Sequence, residues 1–329
     1  MPNRIQRIAA HPAVKAGYFV LLLAATGFYL VRWGDRLPQF LGQIRFAPVA
    51  SAFAVTYLSS LLYSYIQYRI YRRLEAHTPY WTVFRIISIS QLGKYLPGKV
   101  MFAGNFYLLS RAAGIGNLQI GASFAISMAF WILTASLCGL PVLGLLQPTL
   151  RYLVLLLPLL LVVAIHPRFL RWLLQIAQRI GGRVQGTRTA PSPDVTAPDA
   201  SAQDDLLSRL DAGFYLRLAF LYLATWLLAG LGAYLCLAAF VKVEPAIMPL
   251  ALASIALGTV AGFLALFAPV GLGVREGIGT LILAPVVGAE VALLSMVLLR
   301  GITVVVDLSL ALLAMVTGRW AAAQAKLQE

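Results

Sequence analysis

The stretch "FAPVGLGVREGIGTLIL", residues 267–283, sets Pro269, Gly271, Gly273 and the adjacent pair Arg275–Glu276 inside an otherwise apolar run. Helix breakers and charges are both costly in hydrocarbon. A broken helix strands backbone N–H and C=O groups, so breaks persist only where protein or a wet cavity covers them. A charge at mid-bilayer costs roughly 2.5–3.5 kcal/mol on insertion scales, and it faces the interior and finds a partner. The stretch therefore predicts a broken, re-entrant hairpin lining a polar interior, provided that its surroundings are a membrane.

They are. Of 329 residues, 60% are hydrophobic and 12% charged, and the mean hydropathy is +0.82. Soluble domains are about half apolar and a quarter charged. The net charge of +14 does not indicate nucleic acid, because the basic residues fall in short segments between apolar runs, as the positive-inside rule expects. Cys138 and Cys236 sit in apolar stretches as small hydrophobes. His11, His77 and His166 lack a second ligand at metal spacing. No metal site and no cofactor is expected.

Runs of about 20 apolar residues predict an all-α polytopic protein with six full spans, near 14–31, 48–68, 117–140, 149–165, 214–240 and 290–317. Segments 79–112 and 247–286 are long enough to cross and return, and each is broken in its middle. Arg4, Arg7 and Lys15, then Arg69, Arg72 and Arg73, then Arg319 and Lys326, place both termini in the cytoplasm of a multi-pass inner-membrane protein. Arg32, Arg36 and Arg45 disagree, falling outside. Segment 166–213 begins as a basic amphipathic stretch and continues as "TRTAPSPDVTAPDASAQDD", which cannot build a core. It divides a first membrane half, 1–165, from a second, 214–329.

The halves resemble each other. Pro97 and Pro269 are 172 residues apart, as are Gly116 and Gly288, and each proline has an aromatic two positions before it. Span, broken hairpin, span recurs, with the first hairpin opening inward and the second outward. That is an inverted repeat, the plan of many transporters, whose sites lie at the repeat interface among broken helices.

Half-helices ending near the midplane aim N-terminal dipoles at the interior, where anions bind well. The helix breaks are Pro97 and Gly98 in the first hairpin, and Pro269, Gly271 and Gly273 in the second. Beside them stand Lys94, Lys99 and Arg275, a cradle suited to phosphate. Arg300 and Asp307, two turns apart on the last span, share a face. The expected pairing is Asp307 with Arg275 or Arg300. The alternative for Arg275 is mutual neutralisation with Glu276. Asn105 and Arg85 are further polar candidates on the first hairpin, and Arg111 reads as an interfacial anchor.

"QLGKYLPGKV" (91–100) and "PVGLGVREG" (269–277), followed by a span carrying an inward arginine, resemble the transmembrane region of the lysylphosphatidylglycerol synthase family. The resemblance runs from about residue 15 to 317. It implies a flippase-like module moving lipids or lipid-linked sugars, in some members alongside glycosyltransferase or hopanoid pathways. Two departures stand out. The second break is Pro269-Val270-Gly271 where the family often has Pro-Gly-Gly, and no soluble aminoacyl-transfer domain follows before Glu329.

The leading expectation is thus translocation of an anionic lipid or lipid-linked saccharide, and not an enzyme activity. Two alternatives remain: a non-transporting membrane partner of a glycosyltransferase or of a lipid or hopanoid pathway, and a membrane enzyme acting on a lipid headgroup. Against the enzyme, the sequence has no nucleophile–base pair, no metal-spaced carboxylates and no glycine-rich nucleotide loop.

Overall fold

The structure, a computed structural model, describes residues 42, 44–95, 100–145, 211–265 and 271–328. The expected spans 14–31 and 149–165, most of segment 166–213, and Pro97, Gly98, Lys99 and Pro269 lie outside the described residues. Eight α-helices and no strand are present among those described. They are α1 (Phe46–Arg73), α2 (Tyr80–Leu92), α3 (Val100–Ala112), α4 (Asn117–Cys138), α5 (Ala212–Phe240), α6 (Met248–Leu264), α7 (Val274–Val287) and α8 (Ala289–Gln328).

Local chemistry sets the helix ends. α1 finishes on Arg72 and Arg73, cations that complement the C-terminal dipole. Pro79, in extended backbone, opens α2. The Asp211 carboxylate caps α5 by accepting from the Phe214 N–H at 2.9 Å. At the start of α4 the Gln119 side chain accepts from the Gly116 N–H at 3.0 Å. The same amide donates to the Leu74 carbonyl at 2.7 Å, fastening the end of α1 to the start of α4.

Arg45, a residue that contradicted the charge bias, has a structural task. Its backbone N–H donates to the Ala239 carbonyl at 3.0 Å, and its guanidinium donates to the carbonyls of Ala238 and Val241. These are acceptors at the end of α5, which no longer have an intrahelical donor.

Five stretches are long and apolar enough to cross a membrane: Phe46–Arg73, Asn117–Leu143, Ala212–Phe240, Pro245–Leu264 and Ala289–Thr317. Four coincide with expected spans. The fifth, Pro245–Leu264, belongs to the expected hairpin 247–286, so that arm exceeds a half-crossing in length. Its partner α7 has only 14 residues.

Glycine brings these two arms together. A Cβ at Gly258 would lie 2.7 Å from the Arg275 carbonyl oxygen, and one at Gly271 would lie 2.6 Å from the Gly262 Cα. A Cβ at Gly279 would meet the Ser254 carbonyl at 3.8 Å. The partners descend on α6 as they ascend on α7, so the arms are antiparallel and touch backbone to backbone. Small residues at contact positions permit such approach in membrane helices. In the first hairpin, a Cβ at Gly93 would lie 2.8 Å from the Met101 backbone.

The packing relations have a regularity. Exchanging α1 with α5, α2 with α6, α3 with α7 and α4 with α8 maps each helix pairing among the described residues onto a pairing that is also present, α1–α5 onto itself, although α3 meets α4 far less than α7 meets α8. Thus α4 packs on α6 as α8 packs on α2. The counterparts α1 and α5 pack on each other and run antiparallel: Ser59 meets Thr225, Tyr63 meets Tyr222 and Arg73 meets Phe214. Helices α2 and α6 end at Leu92 and Leu264, while α4 and α8 begin at Asn117 and Ala289, each pair 172 residues apart.

The main core joins α1, α5, α6 and α8 through buried Ala52, Ala233, Ala251 and Ala292, among larger residues such as Ile255 and Leu299. Large apolar side chains face outward instead, among them Phe220, Leu281 and Leu312, as a lipid-bathed exterior allows.

Candidate functional site

Between the helices lies a cavity of about 320 Å3. Lys94, from the single 3-10 turn Gly93–Tyr95 that follows α2, enters it from the tip of the first hairpin. Arg275, in the first turn of α7, enters from the tip of the second, and Arg300 and Asp307 enter from α8.

The buried Asp307 carboxylate is held on one oxygen by two donors. Lys94 Nζ lies 2.6 Å from Oδ2, and the Tyr95 hydroxyl donates to the same oxygen at 2.6 Å. The expected pairing of Asp307 with Arg275 or Arg300 is therefore not formed. A partner from the first hairpin takes its place, because that hairpin packs along α8 and delivers its tip beside residue 307. Arg300 Nε instead approaches Glu276 Oε1 at 3.9 Å, an ion pair too long to be a hydrogen bond. Arg300 also stands over the Tyr95 ring, 5.8 Å from its centroid.

Glu276 turns back on its own helix, and its Oε2 accepts from the Gly273 N–H at 2.8 Å. One amide at the N-terminus of α7 is thereby satisfied by a carboxylate of the same helix, so this end is not the open anion cradle that the break suggested. Gly273 tolerates the turn because its φ is +79°, a conformation that only glycine adopts without strain. Among the described residues no carboxylate lies within ion-pair distance of the Arg275 guanidinium, so Arg275 and Glu276 form no direct ion pair, although the Glu276 and Asp307 carboxylates are near enough to attract it electrostatically. Lys94, Arg275 and Arg300 against Glu276 and Asp307 leave one positive charge in excess among these groups.

The rest of the wall was not anticipated. Thr56, Ser59, Ser60, Tyr63 and Ser64 on α1 all line the cavity, at the spacing i, i+3, i+4, i+7, i+8 that forms one helical face. That periodicity was the available signal, hidden because serine and threonine barely lower the hydropathy of a span. Ser88 and Gln91 join from α2, and Thr225, Thr259 and Thr303 from α5, α6 and α8. Trp131, Trp226 and Phe263 form an aromatic wall. Trp131 stands 5.4 Å from Trp226 and 5.7 Å from Phe263 between ring centroids.

Other candidates lie elsewhere. Asn105 on α3 is half-buried and does not line the cavity. Arg85 donates to the Trp81 carbonyl at 3.3 Å on its own helix, and Arg111 is exposed. Gly271 closes against Gly262, and Gly262 does line the cavity.

The sequence model of the lysylphosphatidylglycerol synthase TM region matches residues 13–311. The chain belongs to this family. As a lysylphosphatidylglycerol synthase TM-region protein, it is a multi-pass membrane protein of a family tied to lipid modification or translocation. The family match takes in both hairpins and every residue lining the cavity. No curated protein matches the chain.

Proposed function

We propose that this protein translocates an anionic lipid or a lipid-linked sugar across the cytoplasmic membrane, with the headgroup carried through the cavity between the hairpin tips. The carrying observation is Arg275: a guanidinium in a cavity among membrane-spanning helices, with no carboxylate partner among the described residues. A cation that has left water demands a counter-charge, and a headgroup phosphate supplies one in a form that the guanidinium fork can grip bidentately. The paired hairpins and exchangeable packing support alternating access by one half rocking against the other.

The orientation follows from charge. Arg69, Arg72, Arg73 and Arg217 gather around a cleft at one end of α1 and α5, with Asp211 their acidic neighbour. By the positive-inside rule this end faces the cytoplasm. No catalytic chemistry is assigned to the cavity, and transport would draw on a gradient or a downstream sink.

Vesicles containing the purified protein and a fluorescent anionic lipid test the proposal through loss of fluorescence to a membrane-impermeant quencher. The expected result is faster exchange between leaflets than in protein-free vesicles, and much slower exchange with Arg275→Ala. Equal rates with and without protein for every anionic and glycosylated lipid tried would remove the transport reading, favouring a scaffold or an enzyme.

A further inference from the structure

The segregation of groups within the cavity carries a statement about which headgroup it takes. We infer that the ligand is a glycosyl phosphate, a single sugar ring joined to the lipid through phosphate, in preference to a glycerol phosphodiester or an aminoacylated headgroup. This rests on the translocation reading above and specifies its substrate.

Start from the hydroxyls. Thr56 donates to the Ala52 carbonyl at 2.7 Å, Thr259 to Ile255 at 2.6 Å and Thr303 to Leu299 at 2.8 Å. Thr225 donates to Tyr222 at 2.7 Å and Ser59 to Thr225 at 3.2 Å. Each has spent its only proton on the backbone, so what remains for a ligand is oxygen lone pairs. A wall of fixed acceptors calls for a ligand rich in O–H donors. The side chains of Ser60 and Gln91 have no hydrogen-bond partner among the described residues, and they can both donate and accept. A sugar ring carries several hydroxyls in fixed directions, whereas a glycerol headgroup carries few on a flexible stem.

The opposite wall is aromatic. Trp131, braced by Trp226 and Phe263, adjoins the Arg275 end of the cavity, since Gly262, next to Phe263, would place a Cβ 3.3 Å from that of Arg275. The electron-rich face of an indole attracts the weakly positive C–H bonds on one face of a sugar ring. Phosphate at Arg275 and Lys94, ring face on Trp131, and hydroxyls toward α1 satisfy all three surfaces at once. At about 320 Å3 the cavity lies at the small end of the roughly 300–1,000 Å3 typical of ligand sites, which limits the head to about one sugar and its phosphate.

An aminoacyl headgroup fits poorly. Its ammonium would meet Lys94, Arg275 and Arg300, while Asp307, the one carboxylate among the lining residues, already has Oδ2 engaged by Lys94 and Tyr95.

The test compares fluorescent polyprenyl phosphohexose, phosphatidylglycerol and lysyl-phosphatidylglycerol in vesicles containing the full-length protein. Tryptophan-fluorescence titration of the detergent-solubilised protein with hexose 1-phosphate and with inorganic phosphate forms a second arm. The glycosyl lipid should move at least about tenfold faster than either glycerol lipid, and hexose 1-phosphate should bind at least about tenfold tighter than phosphate. Ser60→Ala combined with Gln91→Leu should remove about tenfold of that preference in both arms while elution as a monodisperse peak is retained. Movement of phosphatidylglycerol or its lysyl ester as fast as the glycosyl lipid would overturn the sugar assignment and leave translocation standing. If no lipid moved, translocation would fall. Tighter binding of the sugar phosphate would then still support the headgroup assignment, and equal binding of the two ligands would sink it.

Discussion

Lys94, at the tip of the first hairpin, and Asp307, deep in α8, are 213 positions apart in the chain and 2.6 Å apart in space. The pair joins the first membrane half to the second at the wall of the cavity. Removing one partner of a fully buried pair costs about 3–5 kcal/mol, because the other is left uncompensated; Lys94 keeps 27% of its side chain exposed, which places the loss here at or below the lower end of that range. Asp307→Ala should therefore lower the melting temperature markedly, and Lys94→Met added to Asp307→Leu should restore most of it. Thermal unfolding in detergent distinguishes the three proteins.

Arg275 predicts the opposite behaviour. With no carboxylate depending on it among the described residues, Arg275→Ala should leave thermal stability nearly unchanged and reduce lipid movement about tenfold or more. Arg275→Lys should recover only part of the rate, since an ammonium is a point charge rather than a planar fork. A large loss of stability in Arg275→Ala, relieved by adding Glu276→Gln, would show the charge to be structural.

Glycines at the α6–α7 contact should be intolerant of a single methyl. Gly258→Ala places a Cβ 2.7 Å from the Arg275 carbonyl oxygen, so the arms must separate, at a cost of about 1–3 kcal/mol. Gly277→Ala on the same hairpin meets nothing within 4 Å. It should be neutral, or stabilising by up to about 1 kcal/mol through helix propensity. Melting temperatures of the two variants give the comparison.

The hairpins make a topological prediction. Cysteines introduced at His77 and Gly114 should both react with an impermeant thiol reagent from the cytoplasmic side, and those at Glu244 and Ala289 both from the outside. Opposite-side labelling within either pair would show that hairpin to be a full crossing pair.

Arg45 provides a last measurement. Arg45→Gln removes the charged donor from the Ala238 and Val241 carbonyls and should cost about 1–2 kcal/mol. The labelling pattern of the four cysteines should stay the same, because Arg69, Arg72 and Arg73, on which the proposed orientation rests, are unchanged.

Much of this protein follows from its sequence because a bilayer removes choices. With no water to satisfy the backbone, an apolar run of about 20 residues must be helical. Hence α1, α4, α5 and α8 lie where hydropathy places them, and the repeat offset read from Pro97 and Pro269 recurs in the helix ends at Leu92 and Leu264. Arg275 was legible for the same reason, as a charge that hydrocarbon would not tolerate. Partnership was not legible. Asp307 finds Lys94 rather than Arg275 or Arg300 because packing of the first hairpin along α8, and not spacing within any one helix, decides which cation arrives. Arg45 counts as misplaced charge in a linear reading and becomes a cap only when the end of α5 lies beside it. The hydroxyl face from Thr56 to Ser64 is periodic in the sequence, yet serine and threonine can bond their own helix backbone and sit equally well against lipid or a cavity. Only the closing of α4, α5, α6 and α8 around α1 makes that face the wall of a site.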